Sequence, residues 1–331
     1  MSNNNEKYVA EYFKKTRKIV DQQKQDSIIT LQFFQWKNNM VLCGINEALK
    51  FLEENSNIEK YKVRFLEEGT IVNSKDVILE LEGPYKEFGI WEGVIDGIIA
   101  RASSIATNAR NVIIAAKQKE VIFMGDRADH YINQERDGYA AFVGGIKTQV
   151  TQAQISQIDG KAIGTVPHVL IQMHEGDIVK ALENYEKVLP EETRLVALVD
   201  FNNDVINDSL RCLKRFDKKL SAVRVDTSSN ISDKFFTKQE EKGVTPNLIK
   251  GLRKSLNENN GQHVKIIVSS GFCEEKIKDF ENENTPVDYY GVGASLLKIN
   301  HLISADAVMV NGEKLAKFGR GYQENKNLKE Y

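Results

Sequence analysis

The spacing of apolar residues changes near residue 120, and the change separates two kinds of pattern. Residues 1–60 are predicted to be helical, because the stretches EYFKKTRKIVDQQ and CGINEALKFLEENS have helical periodicity. Residues 62–83 contain the runs YKVRFLEEGTIV and DVILELEGPY, whose alternation and Gly83-Pro84 break predict two strands. A long helical stretch then begins near Gly89 and ends near Lys119. The first third of the chain is therefore predicted to mix helices with a small number of strands.

After residue 120, short apolar runs alternate with helical segments. The runs are VIFMG, KAIGTV, RLVALVDF, SAVRVDT, VKIIVSS and VDYYGVG. The helices between them include DIVKALENYEKVL, NDSLRCLKRFDKKL and TPNLIKGLRKSLNEN. Repeated β-α alternation with apolar strands predicts a parallel sheet covered by helices. The close succession of these units favours an irregular parallel α/β barrel over an open sheet.

Composition narrows the possible classes of function. The 331 residues are 41% hydrophobic and 28% charged, which is typical of a soluble globular protein. The 45 basic and 47 acidic residues balance, so a field that attracts nucleic acid is absent. No apolar stretch approaches the roughly 18 residues that a membrane helix needs, and MSNNNEKYVAEYF has no signal core. Cys43, Cys212 and Cys273 lie far apart, which predicts no zinc knuckle and a reduced, cytoplasmic setting.

Polar residues follow the predicted strands directly. In a parallel barrel the carboxyl ends of the strands meet at one rim, where the chemistry of such folds is located. The candidate residues at this rim are Gly125, Asp126, Arg127, His130, Thr165, His168, Asp200, Arg224, Asp226, Thr227, Ser228, Ser229, Ser269, Ser270, Gly271, Gly291 and Gly293.

Two consecutive strands near the end of this pattern each lead into small residues. The first ends in Ser269-Ser270-Gly271, and the second contains Gly291 and Gly293. Glycine lets an anion approach the backbone N–H groups closely, and serine adds a hydroxyl donor. Each loop alone could be an ordinary turn. Taken together, the pair predicts a phosphate site formed by the last two strands of a barrel.

The charged rim residues allow a structural and a functional interpretation. Arg127 and Arg224 could pair with Asp126 and Asp226 as surface charges, or could contact an anion. Asp200 and Asp226 face the predicted phosphate, where carboxylates suit a ribose diol, a ring nitrogen or Mg²⁺.

A lone histidine such as His168 in GTVPH is more often structural than catalytic. The sequence shows no metal-ligand cluster, and no Ser-His-Asp or cysteine arrangement that would indicate covalent catalysis.

An ordered set of motifs resembles the nicotinate phosphoribosyltransferase family, of which nicotinamide phosphoribosyltransferase is a more distant relative. The motifs are FMGDRADH, GYAAFVGG, GTVPH, VALVDFNND, VRVDTSSN, IVSSGFCEEKI and YGVGASL. The resemblance implies transfer of phosphoribosyl from phosphoribosyl pyrophosphate to nicotinate in NAD biosynthesis, with Mg²⁺ and, in some members, ATP. It implies an N-terminal α+β domain (1–115), a barrel domain (116–303) and a C-terminal segment (304–331) that returns to the first domain. It also implies a homodimer or higher homo-oligomer with shared active sites.

The same resemblance suggests a role for each candidate. His168 corresponds to the histidine that some members phosphorylate, and Asp200 and Asp226 would act beside it in the catalytic region. Residues expected to contact substrate are Tyr12, Phe13, Arg127, Thr148, Arg224, Ser270, Gly271, Gly291 and Gly293. Phe13 fits best as the aromatic that stacks on the pyridine ring from the partner subunit, with Tyr12 beside it.

The chain also departs from the family pattern. Ala128 stands where a second arginine is common, and Met124 where an aromatic is common. Two alternatives stay open: a divergent relative that binds nucleotides without turnover, and another barrel enzyme that uses a phosphosugar. The second alternative requires a lysine on the rim that can form a Schiff base with the substrate. Lys161 does not fit, because it lies at the start of its predicted strand and the rim is formed by the carboxyl ends. The stretch from Ile146 to Gln149 has no acid, which predicts a preference for nicotinate over nicotinamide.

Overall fold

The computed structural model describes residues 4–117, 119–160, 162–191, 194–238 and 241–331. Within these residues the α-helices, α1 to α10 in chain order, are Glu11–Gln23, Ile45–Asn55, Tyr85–Phe88, Glu92–Ala115, Gln134–Val143, His168–Met173, Ile178–Val188, Val205–Phe216, Pro246–Glu258 and Glu274–Asn282. The strands described, β1 to β14, are Ile28–Gln35, Met40–Val41, Lys62–Phe65, Ile71–Val72, Leu79–Pro84, Glu120–Phe123, Thr148–Gln149, Leu195–Leu198, Leu220–Val225, Lys265–Val268, Tyr289–Val292, Ile303–Val310, Glu313–Lys314 and Lys329–Glu330. Lys161, the lysine at the start of the KAIGTV stretch, lies outside the described residues.

The chain forms two compact units. Unit 1 comprises residues 1–108, 140–144 and 298–331, and unit 2 comprises residues 109–139 and 145–297. The observed divisions fall a few residues before those expected from the sequence, after residues 115 and 303. The predicted fold class, an irregular parallel α/β barrel with a second α+β domain, is confirmed, and the parallel sheet is a half-barrel. None of the helices in the described residues has the length and apolar character needed to cross a membrane.

Unit 1 is built on an antiparallel sheet of six strands in the order β13-β12-β1-β5-β3-β14. Its centre is β1, which pairs with β5 on one side and with β12 on the other. The helical interpretation of residues 1–60 is therefore wrong for IITLQFFQ, whose β-branched and aromatic residues favour a strand. The strand β14, near the end of the chain, pairs with β3, so the C-terminal segment completes the sheet of this unit.

The core of unit 1 lies between this sheet and its helices. In α2 the buried residues Ile45, Ala48, Leu49 and Leu52 recur at the spacing of one helical face. Glu68 accepts hydrogen bonds from the backbone N–H groups at the start of this helix, including that of Gly44 at 3.0 Å. The carboxylate thereby satisfies donors that a helix start leaves unpaired.

Unit 2 contains a curled sheet of six parallel strands in the order β7-β6-β11-β10-β9-β8. Two predictions about its strands need correction. The stretch predicted from KAIGTV forms no strand in its described part, residues 162–166, whereas Thr148–Gln149 forms β7 and pairs with β6. Within the described residues no ladder joins β7 to β8, so the sheet is a half-barrel.

The concave face of this sheet has a small apolar layer below its rim. Ile122, Ala222 and Ile267 are buried together on three strands, and Met124 and Val196 pack against them. Because side chains alternate along a strand, the residues two positions further on face the same side. Arg224 and Ser269 therefore stand one layer above Ala222 and Ile267, at the carboxyl ends of their strands.

Candidate active site

A hydrogen-bonded network joins four residues at the carboxyl ends of the parallel strands. The guanidinium of Arg224 donates to Ser269 Oγ at 3.2 Å, to Thr165 Oγ1 at 3.0 Å and to Asp226 Oδ2 at 3.2 Å. Ser269 Oγ in turn donates to Asp226 Oδ1 at 2.6 Å. The residues come from β9, from the loop after β10 and from the segment before α6. Two of the predicted site residues, Arg224 and Asp226, are thus held together at the predicted rim.

Ser269 is a site residue that the sequence argument undervalued. The sequence favours Ser270 as the substrate contact, but Ser269 is the serine that bonds both Arg224 and Asp226. It is only 3% exposed, so its hydroxyl serves this network and not the solvent. Because residues two positions apart on a strand face the same side, Ser269 faces the same side as Ile267. This alternation could have identified Ser269 from the sequence.

His168 and Asp200 form a second pair at the rim. His168 Nε2 lies 3.2 Å from both carboxylate oxygens of Asp200. Asp200 is 9% exposed, while the imidazole is about half-exposed. Burial raises the pKa of Asp200; His168 opposes this rise, and the negative charge of Asp226 adds to it. The negative charge of Asp226 therefore reaches the carboxylate of Asp200.

The loop after β10 offers a set of unpaired backbone donors. Ser270 and Gly271 both have left-handed backbone conformations, with φ of 77° and 69°. Within the described part of the chain, the N–H groups of Ser270, Gly271, Phe272 and Cys273 donate to no protein acceptor. The helix α10 follows at once, and no side chain caps its N-terminus. Successive free amides leading into a helix start are a typical environment for an anion.

Gly291, within β11, and Gly293, directly after β11, have a different environment. A Cβ at Gly293 would lie 2.7 Å from the carbonyl oxygen of Met124. A Cβ at Gly291 would lie 2.7 Å from the sulfur of Met124 and 3.0 Å from Cβ of Ser269. Packing against the segment after β6 therefore explains both glycines. The proposed contact of Gly291 and Gly293 with a phosphate stays a prediction.

Solved structures of other proteins share this fold. A structure of nicotinate-nucleotide pyrophosphorylase from Pyrococcus furiosus matches 98% of this chain with a TM-score of 0.85 and 31% identity, and 81% of that chain is covered. Human nicotinic acid phosphoribosyltransferase matches 92% of this chain and 75% of its own, with a TM-score of 0.67. At 14% identity the human structure supports the fold alone.

Curated relatives match at lower identity. Nicotinate phosphoribosyltransferases of Mycobacterium tuberculosis and Bacillus subtilis are 25% and 23% identical over 265 and 233 residues. These alignments cover 77% and 70% of this chain but 53% and 45% of the relatives, so the chain spans about half the length of the curated relatives it matches. The family described as quinolinate phosphoribosyl transferase, N-terminal domain, matches residues 12–103.

The chain belongs to the same family as the nicotinate-nucleotide pyrophosphorylase of Pyrococcus furiosus, and it is similar at lower identity to nicotinate phosphoribosyltransferases.

Arg127 and Thr148 differ in whether their side chains are free to contact a ligand. Arg127, in the loop after β6, is exposed and makes no ion pair with another described residue, so its guanidinium is free to meet an anion. The alternative, an ion pair with Asp126, does not occur among the described residues, whereas Arg224 does pair with Asp226. Thr148 lies within β7, and its hydroxyl donates to the carboxylate of Glu120. That hydroxyl is therefore engaged inside unit 2, and contact of Thr148 with substrate stays a prediction.

The aromatic pair in α1 needs a correction. Phe13, preferred from the sequence as the residue that stacks on the pyridine ring, is 6% exposed and belongs to the core of unit 1. Its neighbour Tyr12 is 64% exposed, and the two ring centroids are 4.3 Å apart. Burial leaves Phe13 no free ring face, so exposure favours Tyr12 for any contact with a ligand or a partner.

The rim suits a magnesium ion that arrives with a phosphorylated substrate. No group of three or more His, Cys, Asp or Glu side chains in the described ranges is placed to hold a metal by itself. Asp200 and Asp226 are oxygen donors whose mutual repulsion a divalent cation would relieve. Mg²⁺ commonly binds through one or two carboxylates together with substrate phosphates. The residues present therefore fit the ion as a companion of the substrate.

Proposed function

We propose that this protein is a nicotinate phosphoribosyltransferase. It would transfer the phosphoribosyl group of phosphoribosyl pyrophosphate to nicotinate and release nicotinate mononucleotide and pyrophosphate. The observation that supports this best is the pairing of two features on one rim. The network of Arg224, Asp226 and Ser269 lies directly beside the free amides of Ser270 and Gly271.

The reaction requires charge stabilisation more than a protein nucleophile. The bond from ribose C1 to pyrophosphate breaks, positive charge develops on the ribose, and the pyridine nitrogen forms the new bond to C1. Asp200 and Asp226 would stabilise the cationic sugar, because both carboxylates are held on the rim by hydrogen bonds. Arg127 and Arg224 would face the leaving pyrophosphate. Bound Mg²⁺ would neutralise part of the pyrophosphate charge, held by Asp200, Asp226 and the substrate.

His168 is the candidate for coupling to ATP. Its Nε2 faces Asp200, and its imidazole is about half-exposed, so a phosphoryl donor could reach the ring. We expect His168→Ala to abolish stimulation by ATP while leaving part of the ATP-independent transfer. Initial rates with and without ATP would measure this. Full stimulation in the folded variant would assign His168 a structural role only.

Quinolinate is the second candidate substrate. The family that matches residues 12–103 is described by quinolinate phosphoribosyl transfer. Quinolinate carries a carboxylate that nicotinate lacks, so its conversion to nicotinate mononucleotide must also release CO₂. The product mass alone would not separate the two substrates, whereas CO₂ release and the identity of the consumed base would.

The decisive experiment supplies phosphoribosyl pyrophosphate and Mg²⁺ with nicotinate, nicotinamide or quinolinate in parallel, followed by mass analysis of the products. We expect nicotinate to exceed nicotinamide by at least about tenfold in kcat/KM, equivalent to about 1.4 kcal/mol. Equal or reversed efficiency would overturn the assignment of the base. Binding of phosphoribosyl pyrophosphate without turnover of any base would favour the divergent, non-catalytic relative.

A homodimer or higher homo-oligomer is part of this proposal. Tyr8, Tyr12 and Ile19 leave apolar side chains exposed on and just before α1. Large exposed apolar residues on one element are typical of an interface. Analytical ultracentrifugation would test it, with Tyr12→Ser expected to weaken association and catalysis together. A fully active monomer would exclude a shared site.

A further inference from the structure

Two side chains that the proposed reaction does not use donate hydrogen bonds to carbonyl groups of the loop after β10. Lys276, in the first turn of α10, donates from Nζ to the carbonyl oxygen of Ser270 at 3.3 Å. Ser295, in the segment after β11, donates from Oγ to the carbonyl oxygen of Phe272 at 2.8 Å. The two bonds fix alternate carbonyl groups of the same loop.

Fixing these carbonyls also fixes the direction of the next amides. The described peptide bonds are trans, and in a trans peptide the C=O and the following N–H point in opposite directions. Lys276 on the oxygen of Ser270 therefore directs the N–H of Gly271 away from itself. Ser295 on the oxygen of Phe272 does the same for the N–H of Cys273. These are two of the amides that have no acceptor among the described residues.

Lys276 is unusual among the lysines of this helix. Its ammonium lies 4.3 Å from the centroid of the Phe272 ring and forms no ion pair with a described carboxylate. Burial lowers the pKa of Lys276. By contrast, Lys278 is exposed and pairs with Glu274, which offsets an acidic charge in the first turn. Burying a cation without a carboxylate partner costs desolvation free energy unless hydrogen bonds or other local contacts compensate it.

The Cβ position of Gly271 is open. A Cβ built there meets no described atom within 4 Å, and the backbone has a φ of 69°, which glycine adopts freely. The left-handed conformations of Ser270 and Gly271 are therefore not imposed by crowding at this position. The hydrogen bonds from Lys276 and Ser295 hold the carbonyl groups of this loop in place.

We propose that Lys276 and Ser295 are positioning residues that orient the loop after β10 for the 5′-phosphate of the phosphoribosyl substrate. Neither side chain needs to touch the phosphate, because each acts through the carbonyl that it holds. This inference rests on the proposed function. It adds that the segment after β11 supports the phosphate loop through Ser295, whatever contact its glycines make.

Binding measurements on Lys276→Met, Lys276→Arg and Ser295→Ala test the proposal. Titration calorimetry would use phosphoribosyl pyrophosphate, ribose 5-phosphate and free pyrophosphate as separate ligands. Methionine keeps the length and the contact with Phe272 but removes the donor. We expect Lys276→Met to weaken both 5′-phosphate ligands by about tenfold, and Ser295→Ala by about fivefold. Pyrophosphate affinity should not change, and arginine should restore most of the loss.

Two controls match these variants. Ser221→Ala removes another hydroxyl-to-carbonyl bond, from Ser221 to Leu195 at 3.0 Å, near the amino end of β9. Lys254→Met removes an exposed lysine from α9. Both should bind all three ligands as the unmodified protein does. Thermal unfolding of every variant would verify that the fold is retained.

The outcomes separate this inference from the proposed function. If the unmodified protein binds neither 5′-phosphate ligand, the proposed function fails and this inference falls with it. If it binds both, and Lys276→Met and Ser295→Ala bind them equally well, the inference alone is wrong. A loss of pyrophosphate affinity equal to that of ribose 5-phosphate would also overturn it, because the loop would then serve the leaving group.

Discussion

The carboxyl ends of the buried parallel strands β10 and β11 both contain small residues, yet their glycines meet different surroundings. Gly271 has a positive φ and open space around its Cβ position. Gly291 and Gly293 have ordinary φ values and are crowded by Met124. Glycine permits close approach of any group, and sequence cannot distinguish a ligand from another segment of the same chain. Gly271 therefore lies in open space, whereas Gly291 and Gly293 are packed against Met124, and contact of any of them with a ligand stays a prediction.

The largest effect is expected at Gly293. Gly293→Ala would place a Cβ 2.7 Å from a backbone oxygen of Met124, which cannot rotate away. We expect the free energy of unfolding to fall by about 2 kcal/mol, the typical penalty for overpacking. Urea unfolding followed by circular dichroism would measure this loss. An unchanged midpoint would mean that the loop has room, and the phosphate role of Gly293 would regain support.

Gly271 should respond in affinity. Gly271→Asp would add a carboxylate where the free amides are expected to meet phosphate. We expect affinity for phosphoribosyl pyrophosphate to fall at least about tenfold, equivalent to about 1.4 kcal/mol. Calorimetric titration would measure the change.

A matched control exists for the backbone strain at this position. Gly312, in unit 1, has a φ of 81° and no atom within 4 Å of its Cβ position. Gly312→Asp should therefore lose a similar stability, roughly 1 kcal/mol, without losing affinity. Normal binding by a folded Gly271→Asp variant would remove this loop from the phosphate site.

The smallest effect is expected at Gly291. Gly291→Ala would meet the sulfur of Met124 at 2.7 Å, near the end of a flexible side chain that can move. We expect a loss of about 1 kcal/mol, relieved when Met124→Ala removes the obstructing atoms. A double-mutant cycle on unfolding free energies would measure the coupling. Strict additivity would show that Met124 does not explain this glycine.

Local elements were predictable because their signals are local. Helical periodicity correctly indicated α1, α7, α8 and α9, and short apolar runs correctly indicated β8 to β11. The pair β1 and β12 was not predicted, although IITLQFFQ has strand propensity. Its register joins Leu31 to Ala307 across most of the chain. A pairing over such a separation has no signature within a short window of sequence.

At the rim of unit 2, some features follow from local sequence, whereas others depend on contacts between distant parts of the folded chain. Because parallel strands bring their carboxyl ends to one edge, the sequence alone placed Arg224, Asp226 and the serines there. The tertiary structure selected Ser269 over Ser270 as the partner of both charges. It also placed Met124 against Gly291 and Lys276 behind Ser270. Those contacts join different loops, so they depend on how the strands are packed side by side, which no single stretch of sequence contains.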